Sequence, residues 1–272
     1  MNKCRSLDKR MRNTINTFTR IMIHIKNNFS LLYFCLCLGI LFTFSAFKSV
    51  DFFDDRIPET THQEFDQLLQ KYVAPSGAVN YLGFKKEIVE LDSYLKTLSK
   101  SIPSKASTND EKLAYWMNAY NAFTIKLVVN KYPVSSIKDI SSKPWDIKFI
   151  KLGDKTYSLN DIEHEILRKM NDPRIHVGIN CASVSCPKLS NRAFTSANVN
   201  GELNKLVKGF LMDKSKNRIK PDEIAISKIF SWFRDDFTKK GTLIDWINKY
   251  ANIKVKSTAK VSYLKYDWNL NK

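Results

Sequence analysis

The amino-acid sequence predicts an α+β fold: a single domain in which a central buried helix packs on a small, mainly antiparallel sheet, preceded by an N-terminal hydrophobic segment. Residues 108–132 are apolar on nearly every helical face, which is typical of a buried helix. The stretch "DIKFIKLGDKTYSL" alternates about a Gly-Asp turn, which favours a β-hairpin. With 43% hydrophobic and 12% aromatic residues the chain can build a core, so disorder over most of its length is excluded.

The N-terminal segment predicts export. Residues 1–28 are a basic region, and residues 29–47, "FSLLYFCLCLGILFTFSAF", contain no charged side chain. That length just crosses a bilayer core, and the preceding Lys and Arg keep their own side in the cytoplasm. We expect either an uncleaved transmembrane anchor, because no A-x-A pattern follows, or a signal peptide if translation starts at Met22. Residues 51–272 then form an exported domain, anchored to the membrane or released as a secreted or periplasmic protein.

The first half of the exported part is predicted to be mostly helical. Apolar periodicity indicates helices over 60–73, opened by a capping box at Thr61-x-x-Glu64, and over 81–98. The long helix is expected to begin at a Thr108 cap and to stop before Pro133.

The second half is predicted to alternate helices and short extended stretches. A short helix capped by Asn160 follows the hairpin, and "RIHVGIN" then predicts a strand. Farther along, the patterns indicate a helix at 196–214, an extended stretch at 223–230, a helix at 242–251 and a strand at 259–271.

The predicted strand "RIHVGIN" suggests a polar site. Side chains of a strand alternate between faces, so His176 and Asn180 share the face opposite the apolar residues. Gly178 between them leaves room for a substrate or another backbone to approach. We therefore take His176 and Asn180 as candidate catalytic residues, the alternative being a histidine that is hydrogen-bonded within the core.

The long helix supplies candidate binding residues. Asn118 and Asn121 are three residues apart and share a helical face, with Trp116 nearby. Buried amides need partners, so these two must pair with each other, fix a neighbouring loop or line a cavity.

The short helix "LNDIEHEILR" adds Glu163, His164 and Arg168 as candidate binding residues. A histidine between glutamates suits metal binding or general-base chemistry, but the spacing is not H-E-x-x-H. A solvated, ion-paired helix face is the alternative, and we predict neither a metal nor a cofactor.

Cys181 and Cys186 have three open interpretations. A disulfide between them is typical of an oxidising compartment. Cys181 is also a candidate nucleophile, which would need a neighbouring base. The third interpretation is a pair of inert buried thiols.

Five ordered blocks, "YWMNAYNAFTIKL", "SLNDIEHEILR", "DPRIHVGINCASVSCPKL", "SKIFSWFRDDF" and "YDWNLN", resemble the family called domain of unknown function 547. The resemblance implies no catalytic role. The family's motif residues correspond here to Asn118, Asn121, Glu163, His164, Arg168, His176, Asn180, Cys181, Cys186 and Asp267. A fainter likeness of element order, a buried helix followed by a strand with histidine, is to papain-like and transglutaminase-like thiol enzymes. Their nucleophile opens the helix, and this helix has no cysteine.

The sequence leaves three functions open. The first is an exported or membrane-anchored domain that binds, or hydrolyses, a peptide- or glycan-like ligand at a His/Asn site outside the cytoplasm. The second is a non-catalytic envelope interaction module, and the third is a thiol-dependent hydrolase or transferase using Cys181. Residues 29–47 would contact the membrane if uncleaved. Nucleic acid is not an expected partner, because the net charge of +17 comes from dispersed lysines without an arginine cluster.

Overall fold

The structure is a computed structural model that describes residues 62–272. The predictions for residues 1–28 and 29–47, and the capping box that includes Thr61, concern residues outside this range. The described residues belong to one compact unit of mixed helix and strand, which confirms the α+β class. None of the helices between residues 62 and 272 has both the length and the apolar character needed to cross a membrane.

The α-helices of the described residues, in chain order, are α1 (Gln63–Tyr72), α2 (Tyr81–Lys86), α3 (Ile88–Lys100), α4 (Asn109–Lys131), α5 (Ile175–Gly178), α6 (Val199–Met212), α7 (Ile229–Trp232), α8 (Arg234–Thr238) and α9 (Leu243–Asn248). A π-helix at Asp161–Leu167 continues into a 3-10 turn at Arg168–Met170, and two further 3-10 turns cover Ile137–Asp139 and Pro144–Asp146.

The central helix α4 begins and ends where its sequence predicts. Thr108 Oγ1 accepts the Glu111 amide at 3.2 Å, and the Glu111 carboxylate accepts the Thr108 amide at 2.6 Å, which is a complete capping box. The helix stops at Lys131, ahead of Pro133. Its main packing partners are α2, α3, α6 and the π-helix, so this buried helix is surrounded chiefly by other helices.

The strands form two small sheets. The predicted hairpin is present as β1 (Ile150–Leu152) and β2 (Lys155–Tyr157), which are antiparallel. The second sheet has the order β3 (Arg218–Ile219), β4 (Glu223–Ile226) and β5 (Lys260–Tyr263). Strands β3 and β4 are antiparallel, whereas β4 and β5 are parallel.

The strand predicted for "RIHVGIN" is wrong, and with it the alternation that placed His176 and Asn180 on one face. Residues 175–178 form the single helical turn α5, in which the Gly178 amide donates to the Arg174 carbonyl at 3.1 Å. Pro173 is the second residue of the turn in which the Ile175 amide donates to the Asp172 carbonyl, a position that its fixed φ favours. A short apolar run buried on all sides has no periodicity that separates a helical turn from a strand.

Other elements also differ from prediction. The extended stretch expected at 223–230 ends at Ile226, and Ile229 and Phe230 belong to helix α7. The helix expected over 81–98 is broken at Glu87 into α2 and α3. Asn160 makes no capping hydrogen bond, and Ser158 Oγ instead accepts the Asp161 amide at 3.1 Å. The last strand ends at Tyr263, and most of residues 264–271 continue as an irregular segment. This segment lies beside residues 181–186, here called the cysteine loop.

Candidate active site

A cavity of about 170 Å³ lies beside α4, the π-helix and α7. Its lining includes polar and thiol groups: Glu163, His164, His176, Cys181 and Cys186. The aromatic part of the lining, here called the aromatic wall, consists of Trp145, Trp232, Phe233, Tyr266 and Trp268. Candidate residues from two separate sequence blocks thus meet at one cavity.

Cys181 presents a half-buried thiol to this cavity among hydrogen-bonding groups. Its sulfur lies 3.2 Å from Ser183 Oγ and 3.2 Å from Tyr266 Oη. A hydrogen bond from the Cys186 thiol, helped by the Ser183 and Tyr266 hydroxyls, lowers the pKa of Cys181 in spite of burial. Because the thiolate is the reactive form, this environment favours a nucleophilic cysteine.

Cys186 is the buried member of the thiol pair. Its sulfur accepts the Cys181 amide at 3.1 Å, and burial raises its pKa well above the ordinary value. Both cysteines are free thiols in this structure, so the disulfide that was one of three interpretations is not formed here. The two thiols are therefore chemically unequal.

The residue after the thiol adopts a left-handed conformation. Ala182 has φ of 60°, which costs a residue other than glycine on the order of 1 kcal/mol. Asn180 stabilises this turn, because its Oδ1 accepts the Ala182 amide at 2.8 Å while its Nδ2 donates to the Pro187 carbonyl at 2.8 Å. Asn180 thus shapes the cysteine loop from outside the set of cavity-lining residues. Strained backbone held by its surroundings is common at functional sites.

His176 is 3% exposed and has one fixed and one free ring nitrogen. Its Nε2 lies 2.9 Å from Asp236 Oδ2, and its ring stacks on Phe233 at 3.8 Å between centroids. The pKa of His176 is lowered by burial, so the ring is neutral near pH 7. The carboxylate assigns the ring proton to Nε2, which leaves the Nδ1 lone pair as an acceptor. No described residue hydrogen-bonds to Nδ1.

Asp236 completes this arrangement and was missed by sequence reasoning. The hydrogen bond from His176 and the Arg168 guanidinium hold the pKa of this carboxyl well below its usual range. Arg168 Nε lies 2.6 Å from Oδ2, and Nη2 lies 3.2 Å from Oδ1. The only sequence signal was the pair of aspartates in "SWFRDDF", a block to which no role was given.

The predicted Glu163, His164 and Arg168 all lie near the cavity, but not as a metal site. Glu163 is buried and accepts from Tyr120 Oη at 3.2 Å, and burial raises its pKa to about 7. Its Oε1 lies 3.8 Å from His176 Nδ1. His164 Nδ1 lies 2.9 Å from Arg168 Nη1. Between residues 62 and 272 no three His, Cys, Asp or Glu side chains are grouped as metal ligands.

The amides of α4 bind backbone instead of lining the cavity. Asn118 exchanges two hydrogen bonds with Phe194, at 2.7 and 3.0 Å. Asn121 Nδ2 donates to the Gly178 carbonyl at 3.0 Å, and its Oδ1 accepts the Asn180 amide at 2.9 Å. Asn121 therefore ties α5, which carries His176, to the central helix. Trp116 packs edge-on against Tyr157, away from the cavity.

Gly178 serves core packing and not substrate access. A Cβ atom at this position would come within 2.7 Å of Leu203 Cδ2 and 2.8 Å of Met117 Sδ. The glycine therefore allows α5 to lie close to α4 and α6, and the sequence interpretation of an opening for substrate is wrong.

Residues 103–211 match the family model described as "Protein of unknown function, DUF547". No curated protein and no solved structure matches the chain. The matched range contains Glu163, His176, Cys181 and Cys186, whereas Asp236 and most of the aromatic wall lie beyond it.

Proposed function

We propose that this chain, which carries a domain of the DUF547 family in residues 103–211, is a thiol-dependent hydrolase or acyl transferase with Cys181 as its nucleophile. His176 acts as the general base, and Asp236 orients it. The ligand is peptide- or glycan-like, and the bond attacked is the acyl bond of an amide or an ester.

One observation carries this proposal: the Cys181 thiol and the His176 imidazole line one cavity, and the ring nitrogen of His176 that faces away from Asp236 has no protein partner. A nucleophile, a base and a carboxylate that orients the base are the parts that acyl transfer by a thiol requires. The thiol is not hydrogen-bonded to the imidazole in this structure, and such contacts commonly tighten only when substrate binds.

The residues have distinct roles in the two half-reactions. His176 Nδ1 takes the thiol proton of Cys181, and the sulfur attacks the acyl carbon. The bond to the leaving group then breaks, and the leaving amine or alcohol takes the proton from His176, so a thioester remains. Water or an acceptor amine next attacks the thioester and passes a proton to His176, and the proton returns to the Cys181 sulfur as the acyl group leaves. Ser183 and Tyr266 hydroxyls stabilise the thiolate by donating to it.

The site of action that we propose is outside the cytoplasm. The support is the uncharged stretch 29–47 after a basic region. External protease digestion of intact cells tests this proposal. The cells are Gram-positive cells or spheroplasts, so that no outer membrane excludes the protease. Digestion of the domain supports export, whereas a domain that stays intact until the membrane is permeabilised contradicts it.

Acylation by p-nitrophenyl acetate tests the thiol chemistry. The full chain should release a burst of one p-nitrophenolate per molecule, and mass mapping should place the acetyl group on Cys181. Cys181→Ser should abolish the burst, and His176→Gln should slow it about a hundredfold or more. The control Cys186→Ser removes the second thiol but keeps a hydrogen-bond donor beside Cys181, so it should keep the burst. A burst that survives Cys181→Ser, or none in the folded wild type, would contradict the proposal.

The non-catalytic module is the second candidate, and the aromatic wall is the observation in its favour. Aromatic side chains around a cavity supply binding area without any chemistry. This alternative predicts that His176→Gln lowers the melting temperature and changes no reaction at Cys181.

A further inference from the structure

The cavity differs in charge from the rest of the chain. The sequence contains 44 Lys and Arg residues, yet none of those in the described range 62–272 lines this cavity. The carboxylic acid among the lining side chains is Glu163. Because no lining side chain carries a fixed positive charge, the lining itself favours a cationic or neutral group.

The aromatic wall offers ring faces that suit a cation. Trp232 and Trp268 stack with centroids 5.6 Å apart, and Tyr266 lies 4.5 Å from Trp268. Trp232 is 46% exposed, which is unusual for so large an apolar side chain. Two rings of the wall already face a cation: Lys138 Nζ lies 3.8 Å from the Trp268 centroid, and Arg168 Cζ lies 5.4 Å from the Phe233 centroid. Among the described residues, Trp145, Trp232 and Tyr266 have no such partner and remain available to a ligand cation.

Glu163 forms no direct ion pair with a Lys or Arg of the described residues, although the nearby Arg168 partly offsets the rise that burial causes in its pKa. The Arg168 guanidinium is engaged by both oxygens of Asp236. Burial lowers the pKa values of His164 and His176, so both rings are neutral near pH 7. His176 lines the cavity, and its buried Nδ1, a hydrogen-bond acceptor, has no donor among the described residues.

We propose that the cavity binds a primary alkylammonium group, such as the end of a lysine-like side chain, against the aromatic wall with Glu163 as counter-ion and His176 Nδ1 as hydrogen-bond acceptor. A volume of about 170 Å³ equals five or six water molecules at about 30 Å³ each, which admits an ammonium with a short alkyl chain. The role of this ammonium group as part of a substrate rests on the proposed function, because the amine would then lie beside Cys181. Binding of the group does not require the thiol.

Three probes of the same shape test the charge preference. Intrinsic tryptophan fluorescence of the full chain is titrated with n-butylammonium, 1-butanol and butyrate at constant ionic strength and about pH 8, where Glu163 is ionised. Butylammonium should bind about tenfold or more tighter than 1-butanol, and butyrate weakest of the three. Equal binding of amine and alcohol, or preferred binding of butyrate, overturns the proposal.

A variant and its matched control assign the counter-ion. Glu163→Gln should weaken butylammonium about tenfold and leave 1-butanol unchanged. Glu165→Gln, two residues away and exposed beside Lys169, should change neither. Unchanged amine binding in folded Glu163→Gln overturns the assignment of this carboxylate.

A pH titration provides the same information without altering Glu163, and it is run in Cys181→Ala so that a thiolate adds no charge. Amine affinity should fall about tenfold from pH 8 to pH 6 as Glu163 takes up a proton, and flat affinity overturns the proposal. Because Cys181→Ala cannot be acylated, retained amine binding there separates this proposal from the thiol chemistry. If the wild-type chain shows no acetylation burst but still binds butylammonium, only the proposed catalytic function is contradicted.

Discussion

Asp236 Oδ2 lies 2.9 Å from His176 Nε2, although the two residues are 60 positions apart in the chain. The contact joins α5 to α8, and Arg168 from the 3-10 turn after the π-helix holds the same carboxylate. Three short elements thus fix the His176 imidazole, and its Nδ1 is the ring nitrogen that remains available to accept a proton.

Replacing Asp236 by asparagine should reduce the reactivity of Cys181. The amide has nearly the same shape, but it no longer compels His176 to carry its proton on Nε2, and the required tautomer is lost. We expect the acetylation rate to fall about a hundredfold or more. The control is Asp235→Asn, an exposed neighbour that should keep the wild-type rate. A wild-type burst in folded Asp236→Asn would contradict the assigned role.

Tyr266→Phe should raise the pKa of Cys181. The phenol donates to the thiolate at 3.2 Å, and loss of one hydrogen bond to a charged group corresponds to about one pH unit. The midpoint of the iodoacetamide labelling rate against pH should therefore move upward by about this amount. Tyr263→Phe on β5 serves as the control, and an unmoved midpoint in Tyr266→Phe would rule out this contact as a determinant.

Two glycine-to-alanine changes should have opposite effects on stability. Gly178→Ala forces Leu203 and Met117 to shift, so we expect a loss of about 1 kcal/mol in the free energy of unfolding. Gly209→Ala lies within α6 with nothing within 4 Å of the added Cβ, and helix propensity predicts a gain of about 0.5–1 kcal/mol. Urea unfolding measures both free energies. A less stable Gly209→Ala would contradict the expectation that an added methyl group fits at this position without a clash.

Asn118→Ala should destabilise the fold and spare the chemistry. Two hydrogen bonds to buried Phe194 backbone are lost, which costs about 1–3 kcal/mol. The acetylation burst should keep its amplitude at temperatures where the variant is folded. A burst that disappears from the folded variant would show that this amide acts at the cavity.

Stability should decrease in mild acid because of His62. Burial lowers the pKa of His62 from 6.5 to about 4, whereas the unfolded chain takes up that proton near pH 6.5. Between these values the unfolded state binds more protons, so the free energy of unfolding falls as pH falls, by up to about 1.4 kcal/mol per pH unit. Urea unfolding across this range should show a smaller slope in His62→Gln, and an unchanged slope would assign the effect to other groups.

Local patterns predicted the elements that depend on local physics. The Thr108 capping box and Pro133 bound α4, and a Gly-Asp turn marks the hairpin, because caps and turns act within a few residues. The strand prediction over His176 failed because the turn α5 is held by Asn121, 57 positions from Gly178. His176, Glu163 and Cys181 were singled out by residue type, and the structure brings them to one cavity.

Asp236 and Tyr266 could not be recognised from the sequence because their roles arise from distant contacts. Each acts on a residue at least 60 positions away. Both lie in blocks of the family resemblance, "SKIFSWFRDDF" and "YDWNLN", but the resemblance gives neither residue a role. The structural roles of Asn118 and Asn180 were also not predictable from the sequence. These amides bind the Phe194 and Pro187 carbonyls instead of lining the cavity, and only the folded structure shows these partners.

Tyr266 reaches back across 85 residues to the Cys181 sulfur, and the Val184 and Ser185 amides donate to carbonyls of Asn269 and Asp267. On a ribosome that adds 5–20 residues per second, the newly made cysteine waits roughly 4–17 s before this covering segment exists. An oxidant that reaches the chain during synthesis therefore contacts the Cys181 sulfur before the Tyr266 hydroxyl is present. A shortened polypeptide that ends before Tyr266 lacks this phenol contact altogether.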